Sequence, residues 1–517
     1  MASEGSIPLP SSGAGTSSTA AAVIAREDRI PIWALSYLYI GIIGVGFLFT
    51  FYDIFVINVS FIQTCTQILS GCNTANSVNY FGLPVELNLA GYVVGALVLS
   101  PLADRFGRRD MLLFTLLLTG IGSLYTVFVH DYTNFIIART ITGLGIGADL
   151  ALVNTYINEV APSASRARYT SLIFIMSSLG AFFGIWVGLW LTTPMANFPS
   201  GLSFAIATVN ITPHGVQFLG NGWRIMYGIG TILALVGILL RFQLPESPRW
   251  LISRGRVDEA DRIVTGMEER ARRRMPNLPA PAAELPVQGV GDRIPYTEIF
   301  SNRVYLTRTI LLVVVWFLGY VTIYSIAQGL TTLLAGILPP PANLPPPAAA
   351  AAVAGESGMI AAFGTFGFIL TAVFAYFFGE RLERKLWLPI SAVLTLIGGI
   401  LIAVFASSNF PLAAIGSIIT FFGFNLWVPM TYTWSTESYP TRARATGFAL
   451  VDGVGHLGGG VGILVIAPLI PGILMSLGHT SGPIVIFLII AAFLIVAAII
   501  AQFGTATRQK RLDEVSP

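Results

Sequence analysis

The chain has 517 residues, of which 54% are hydrophobic and only 11% are charged, and its polar residues lie in short blocks between long apolar runs. This composition excludes a soluble globular protein, and the net charge of +3 records membrane topology rather than a surface for nucleic acid. The sequence therefore predicts an all-α membrane protein that crosses the bilayer many times.

About twelve apolar runs are long enough to cross roughly 30 Å of hydrocarbon as helices. The predicted spans cover about 32–60, 80–102, 110–130, 132–158, 170–193, 222–244, 306–334, 358–379, 386–406, 411–434, 446–470 and 482–504. They form two halves of six spans, 32–244 and 306–504, joined by a linker over 245–305. Residues 1–31, rich in Ser, Gly and Ala, are predicted to be a disordered tail, and residues 505–517 form a second tail.

The basic residues indicate the orientation of the chain. All Lys and Arg residues except Arg139 and Arg224 lie in the tails or in even-numbered connections. Because Lys and Arg near the ends of spans stay cytoplasmic, we expect both termini to be cytoplasmic and the protein to lie in the cell membrane.

The first and fourth spans each carry a charge at bilayer depth, Asp53 and Arg139. Asp53 is predicted about seven residues from the outer end of its span, at a depth similar to that of Arg139. If the two helices touch, Arg139 can pair with a carboxyl that takes up and releases a proton. A static ion pair that locks two helices is the alternative. Asp149, farther along the fourth span, is predicted as a second acid near the transport cavity.

Cys65 and Cys72 both fall in the first predicted outer loop. That compartment permits a disulfide, but two unpaired thiols fit the sequence as well.

Two pairs of short loops repeat between the halves. DRFGRR after the second span corresponds to GERLERK after the eighth, and NEVAPSASRAR after the fourth to TESYPTRARATG after the tenth. Such repeats are typical of secondary transporters, which bind a solute between two halves that rock in alternation. We expect these loops to form an inner gate from Asp104, Arg105, Arg108, Arg109, Glu159, Arg166, Glu380, Arg381, Arg384, Glu437 and Arg444.

Two connecting segments have a distinctive composition. The stretch from Val257 onward predicts an amphipathic basic helix, which either lies at the inner membrane surface or only tethers the halves. The Pro- and Ala-rich segment Pro339–Ala352 predicts an extended spacer without a packed core.

The seventh and eleventh spans carry the candidate solute-binding residues. Trp316, Tyr320 and Tyr324 recur every four residues, so they share one helical face, and Gln328 continues roughly along the same side. Such rings suit a sugar or another organic solute, although an aromatic stripe also serves helix packing. In the eleventh span Asp452 and His456 lie one turn apart on one face. We expect them either to bind solute or protons, or to form a hydrogen-bond clamp to a neighbouring helix.

On these motifs the chain resembles the major facilitator superfamily, in its sugar-porter and phosphate-symporter branch. The matching motifs are DRFGRR, R-x-x-x-G-x-G-x-G from Arg139 to Gly147, PESPRWL from Pro245 to Leu251, and E-x-Y-P-T from Glu437 to Thr441. The resemblance implies twelve transmembrane helices in two six-helix halves and transport by alternating access. It also implies a contact of the linker with the loops of Asp104 and Glu380.

The resemblance is uneven at the binding residues. Asp53, Asp149, Trp316 and Tyr324 fall where phosphate–proton symporters have matching residues. Leu150, Tyr320 and His456 replace the tyrosine, aspartate and lysine expected there, and the glutamines that sugar porters use in the fifth and seventh spans are missing.

We therefore predict a secondary active transporter that couples protons to a small polar, sugar-like solute. Asp53, Arg139 and Asp149 would couple the protons, and Trp316, Tyr320, Tyr324, Gln328, Asp452 and His456 would line the solute path. A phosphate or organic-anion symporter, a proton-exchange exporter and a non-transporting sensor are the alternatives. The expected partners are the solute, protons and the lipid bilayer, with a monomeric chain, no nucleic acid, no cofactor, no metal and no enzymatic activity.

Overall fold

The computed structural model of the protein describes residues 14–73, 76–192, 221–281, 295–463 and 467–516. Within these ranges every regular element is a helix. Eleven helices in this part of the chain are long and apolar enough to cross a membrane.

The first half contributes six spans. They are Tyr37–Ile68, Val78–Phe106, Arg108–Phe128, Tyr132–Val160, Arg166–Thr192 and Gly222–Arg241. The first span is longer than the predicted 32–60, and Asp53 consequently lies at the middle of its helix rather than near the outer end. The extension follows because the sequence beyond residue 60 holds no helix breaker, and the helix ends only at the Cys65–Cys72 disulfide.

The second half begins with Arg303–Ala327, followed by the short helix Leu330–Ile337. The eighth and ninth spans are Pro346–Phe378 and Trp387–Phe405, and the tenth is Phe410–Leu426 continued by Val428–Glu437. The prediction of an extended spacer over Pro339–Ala352 is wrong from Pro346 onward. Proline is tolerated in a first helical turn and alanine has the highest helix propensity, so the run starts the eighth span.

The eleventh span is broken. Its helices are Arg444–Gly455 and Leu457–Val461, and a helix that includes the twelfth span covers Ala467–Ala501, with Gly478 at a φ of 73°. Glycines surround the break in GVGHLGGGVG, and glycine is about 1 kcal/mol less favourable than alanine inside a helix. The helix therefore gives way at His456, next to the predicted solute residues.

Shorter helices lie outside the spans. They are Ala14–Asp28, Pro248–Ser253, Val257–Arg274, Pro295–Ser301 and Leu512–Val515, with single 3₁₀ turns at Ser163–Ser165, Arg384–Leu386 and Thr441–Ala443. The prediction of a disordered tail over residues 1–31 is wrong for Ala14–Asp28. This helix buries Ala20, Val23 and Ile24 against the linker helix Val257–Arg274, whose Ala260 and Val264 share the contact.

Glycines of the fourth span explain how the first half packs so closely. A Cβ at Gly143 or Gly147 would collide with backbone carbonyls of the second span, and one at Gly145 would collide with Thr119 of the third. The motif from Arg139 to Gly147 thus brings three helices within backbone distance, as small residues do in membranes.

Candidate functional site

The first half contains the predicted ion pair between Asp53 and Arg139. Arg139 Nη1 donates to Asp53 Oδ2 at 2.7 Å, and Nη2 donates to the Asp53 carbonyl at 3.2 Å. Ser123 of the third span donates its hydroxyl to Asp53 Oδ1. Both residues are 1% exposed, so the pair is buried, and the partners named here all belong to the first half.

Asp149 forms a second ion pair in the same half. Arg241 Nη1 and Nη2 reach its two carboxylate oxygens at 2.5 and 3.0 Å, and Thr115 donates to Oδ1 at 3.0 Å. Sequence reasoning placed Arg241 in the inner connection, but it is the last residue of the sixth span and is fully buried. The carboxylate of Asp149 therefore faces the third and sixth spans, and the partners that its oxygens have here all belong to the first half.

The second half brings the seventh and eleventh spans together around Asp452. Tyr320 donates its hydroxyl to Asp452 Oδ1 at 2.6 Å, and Tyr92, from the second span, donates to Oδ2. The hydroxyls of Tyr320 and Tyr432 are 3.2 Å apart. Asp452 is fully buried and is held by hydroxyl groups from both halves, so it joins the halves at the centre of the bundle.

His456 lies between two tyrosine rings. Its ring centroid is 3.7 Å from that of Tyr92 and 3.8 Å from that of Tyr320, and 5.8 Å from that of Tyr324. Nδ1 is 2.8 Å from the carbonyl oxygen of Asp452, and because a carbonyl only accepts, Nδ1 carries the proton of this contact. The sandwich shows that the site accommodates a flat ring between aromatic faces.

Trp316 and Gln328 complete the predicted group. Trp316 stacks on Tyr320 with ring centroids 5.0 Å apart, and its Nε1 donates to Ser435 at 2.9 Å. Gln328 directly follows the seventh span. Its backbone N–H bonds to the Tyr324 carbonyl, and the residue is buried. We call Tyr92, Trp316, Tyr320, Tyr324, Asp452 and His456 the aromatic cluster.

Most of the predicted gate residues meet at one end of the bundle, which we call the basic face. In the first half Arg108 contacts Asp104 at 2.7 Å and Glu159 at 3.0 Å. In the second half Arg384 contacts Glu380 at 2.9 Å and Glu437 at 3.4 Å. The repeated loops thus build the same arrangement of an arginine between two acids twice.

Contacts between the halves are repeated in the same way. Glu159 contacts Arg444 at 3.4 Å, and Arg166 contacts Glu437 at 3.5 Å. The backbone N–H of Thr446 bonds to Asp104 at 3.0 Å, and that of Ala167 bonds to Glu380 at 2.7 Å. In this conformation the two halves are therefore bridged at the basic face.

Three predicted gate residues do not join these contacts. Arg105 and Arg381 are exposed and lie over the rings of Phe106 and Phe378. Arg109 donates to the carbonyl of Phe242 at 2.8 Å, within the first half. The reason is geometric, since Arg108 and Arg384 point inward, whereas Arg105 and Arg381, three residues earlier in each loop, point outward.

The linker reaches the basic face through its first residues. Glu246 accepts hydrogen bonds from the backbone of Arg108 and Arg109, and Trp250 donates to the carbonyl of Asp104 at 3.1 Å. Burial raises the pKa of Glu246, although these N–H groups and that of Ser247 act against the rise.

The linker helix Val257–Arg274 contacts the N-terminal helix Ala14–Asp28 through ion pairs. Glu268 pairs with Arg26 at 2.8 Å and with Arg29 at 2.5 Å. Burial raises the pKa of Glu268, but the two arginines outweigh it and the pKa is lowered overall.

Sequence reasoning missed several residues at these sites. Tyr92 lies in an apolar run without any signal that separates it from a packing residue. Arg241 adjoins a basic connection and resembles a loop residue in sequence, and Glu86 lies in an apolar run that carries none of the motifs described above. Within the described ranges, no group of three or more His, Cys, Asp or Glu side chains could hold a metal ion.

Two family models match the chain. The family described as "Sugar (and other) transporter" matches residues 39–328, and "Major Facilitator Superfamily" matches residues 341–516. The chain belongs to the sugar transporter family of the major facilitator superfamily. The family prediction is thereby confirmed, and this family member is a transporter and not an enzyme.

Over nearly its whole length this sugar transporter family member is similar to the niacin transporter NiaP of Acinetobacter baylyi. The two are 27% identical over 511 residues, which cover 95% of this chain and 99% of the relative. The arabinose-proton symporter of Bacillus subtilis is 34% identical over 184 residues, 36% of each chain.

Among solved structures, the chain is similar to the proton:xylose symporter XylE bound to 6-bromo-6-deoxy-D-glucose. The TM-score is 0.65 at 18% identity, and the match covers 93% of this chain and 98% of that of XylE. This likeness confirms the predicted all-α fold of twelve transmembrane helices.

Proposed function

We propose that the protein is a proton-coupled symporter that takes up a small polar organic solute with a ring. The observation that carries the proposal is the aromatic cluster, in which a buried acid and a histidine lie among tyrosines from both halves. Rings stack on the faces of a sugar or a heteroaromatic molecule, and the hydroxyls and Asp452 bond its polar groups. The solute would take the place that His456 now occupies between Tyr92 and Tyr320.

Asp53 is the proposed main proton acceptor, with Arg139 as its partner. A proton on Asp53 removes the charge that holds Arg139 and frees the first span to move against the fourth. Asp149 is proposed only as a secondary acid, because Arg241 binds both of its oxygens.

The basic face is the proposed inner gate and faces the cytoplasm, with both termini on that side of the cell membrane. Its bridges between the halves, such as Glu159 with Arg444, must separate before a solute can leave there. The exposed Arg105 and Arg381 have no place in this gate. We propose that one chain suffices, because the site lies between its own two halves.

A sugar is the first candidate solute and a small aromatic carboxylate the second. The sugar follows from the family and from the hydroxyl-rich cluster. The carboxylate is favoured by the similarity to a niacin transporter over 95% of this chain, whereas the arabinose relative matches only 36%.

Uptake into proteoliposomes tests the proposal. Labelled xylose, arabinose, glucose, nicotinate, 4-hydroxybenzoate and phosphate are each offered with and without an inward proton gradient. We expect accumulation of one ring-bearing solute that depends on the gradient. Gradient-driven accumulation of phosphate alone, or efflux in exchange for protons, would contradict the proposal.

A further inference from the structure

Glu86 is an acid of the second span that the proposed function does not use. The residue as a whole is half-buried, but its Oε1 is out of reach of solvent and has no hydrogen-bond partner among the described residues. Three other acids of the bundle, Asp53, Asp149 and Asp452, have donors on both oxygens: Arg139 and Ser123 on Asp53, Arg241 on Asp149, and two tyrosines on Asp452. Glu86 therefore differs from them in having an oxygen that nothing in this part of the chain solvates.

The second half presses against Glu86 at the broken eleventh span. A Cβ at Gly460 would lie 2.7 Å from Glu86 Oε2, so the glycine lets the carboxyl lie directly against the eleventh span. Gly459 lies against the ring of Tyr324 in the same way, and Gly462 against Ser325, whose Oγ is also buried without a partner in the described ranges. The glycine run thus closes over Glu86 at the end of the cluster remote from the basic face.

The groups around Glu86 supply no positive charge to it. The seventh span contributes Tyr324. On the eleventh span Asp452 and His456 precede Gly460 by two turns and one turn, and His456 Nδ1 is engaged by a backbone carbonyl. The fourth span contributes Arg139, which is committed to Asp53, and Asn88 on the same helix as Glu86 donates to the Arg139 carbonyl. Within the described ranges no Lys or Arg forms an ion pair with Glu86. An ionised carboxylate with an unsolvated oxygen costs several kcal/mol in such surroundings.

We infer that Glu86 carries a proton in this conformation and is a further proton-binding acid of the transporter, beside Asp53 and Asp149. When the eleventh span moves away, water reaches Oε1 and the proton can leave. When the span returns and covers Oε1 again, the carboxyl must be neutral. Closure of the halves over the aromatic cluster therefore requires a proton on Glu86. The inference deepens the proposed proton coupling and rests on it for its role in transport, but the protonation itself is measurable without any solute.

Infrared difference spectra of the full chain in liposomes, recorded without solute from about pH 6 upward, where ordinary carboxylates are already ionised, test the inference. We expect the carbonyl stretch of a protonated carboxylic acid to titrate in the parent chain and to be lost in Glu86→Gln, which has the shape of the neutral acid. Asp131→Asn, which removes an exposed carboxylate, should leave the band unchanged. In Glu86→Asp the band should move to the position of an aspartic acid, which provides a second test if the glutamine variant fails to fold.

A band that persists in Glu86→Gln would overturn the inference, and its loss in Asp452→Asn instead would assign the proton to Asp452. The proposed function fails separately, by the absence of solute uptake driven by a proton gradient. Each failure is thus visible in its own measurement.

Discussion

Away from the basic face, the two halves of this transporter bury polar groups in opposite ways. The first half buries charges as ion pairs, Asp53 with Arg139 and Asp149 with Arg241. The second half contributes to the aromatic cluster, where Asp452 is bound by hydroxyl groups instead of an arginine.

This difference fits two separate tasks, proton coupling and solute recognition. A buried ion pair changes only when it breaks or when a proton neutralises its acid, which suits coupling. A tyrosine hydroxyl can exchange a carboxylate for a solute hydroxyl at little cost, which suits recognition. The tasks meet where Tyr92 of the first half bonds to Asp452 of the second.

The largest effect should come from breaking an ion pair of the first half. Asp149→Ala leaves Arg241 charged and unpaired in the bundle, and we expect a loss of about 3–5 kcal/mol in the free energy of unfolding. Denaturation of the purified protein in detergent measures it. The double variant Asp149→Leu with Arg241→Met, which removes both charges, should recover most of the loss. A single variant as stable as the parent would show that the pair is not a fixed element.

In the second half the corresponding change should affect solute binding more than folding. Tyr320→Phe removes one of the two hydroxyl donors of Asp452, and we expect roughly tenfold weaker binding of the transported solute. Counterflow with the solute found in the uptake panel measures the half-saturation concentration. Tyr376→Phe, far from the cluster on the eighth span, is the control. An unchanged half-saturation concentration in Tyr320→Phe would remove the cluster from recognition.

At the basic face both halves use ion pairs, so variants there compare the halves directly. Glu159→Gln weakens the contacts with Arg108 and Arg444 and should favour opening of this face by several-fold. Spin-label distances between the halves measure the open fraction. Glu437→Gln should act in the same direction but less, because its contacts are longer, 3.4 and 3.5 Å. Glu259→Gln, which breaks an exposed pair with Arg256, should change nothing. Equal distances in all variants would show that these contacts do not hold the face closed.

The smallest effect is expected from an exposed carboxylate, Asp131, which caps the fourth span. The pKa of Asp131 is lowered by the backbone N–H of Asn134 and then by its side-chain amide. A lowered pKa means that this cap stabilises the fourth span above the ordinary pKa of an aspartate and stops doing so as the pH falls through the lowered value. Asp131→Ala should therefore lower the melting temperature slightly at neutral pH, with no difference in strong acid. A difference that grows in acid would contradict this sign.

Much of the fold was predictable because spans, repeats and basic loops leave strong local patterns. The pairing of Asp53 with Arg139 could also be predicted, since each is a charge isolated in an apolar run. Other features depend on three-dimensional contacts that no local pattern contains. Arg241 looks like a loop residue until its helix is seen to end against Asp149, and Arg105 and Arg108 are alike in sequence although only Arg108 points inward. The sequence around Pro346 predicts a spacer, but a helix begins at this residue.

The most direct test of the account is proton entry into proteoliposomes after a pH jump, with the transported solute present or absent, for the parent chain and Asp53→Asn. The account predicts solute-dependent proton entry in the parent and none in the variant, which should still exchange labelled for unlabelled solute because its binding site is intact. If Asp53→Asn admits protons with the solute as fast as the parent, the ion pair with Arg139 is structural and the coupling proposed for the first half is wrong.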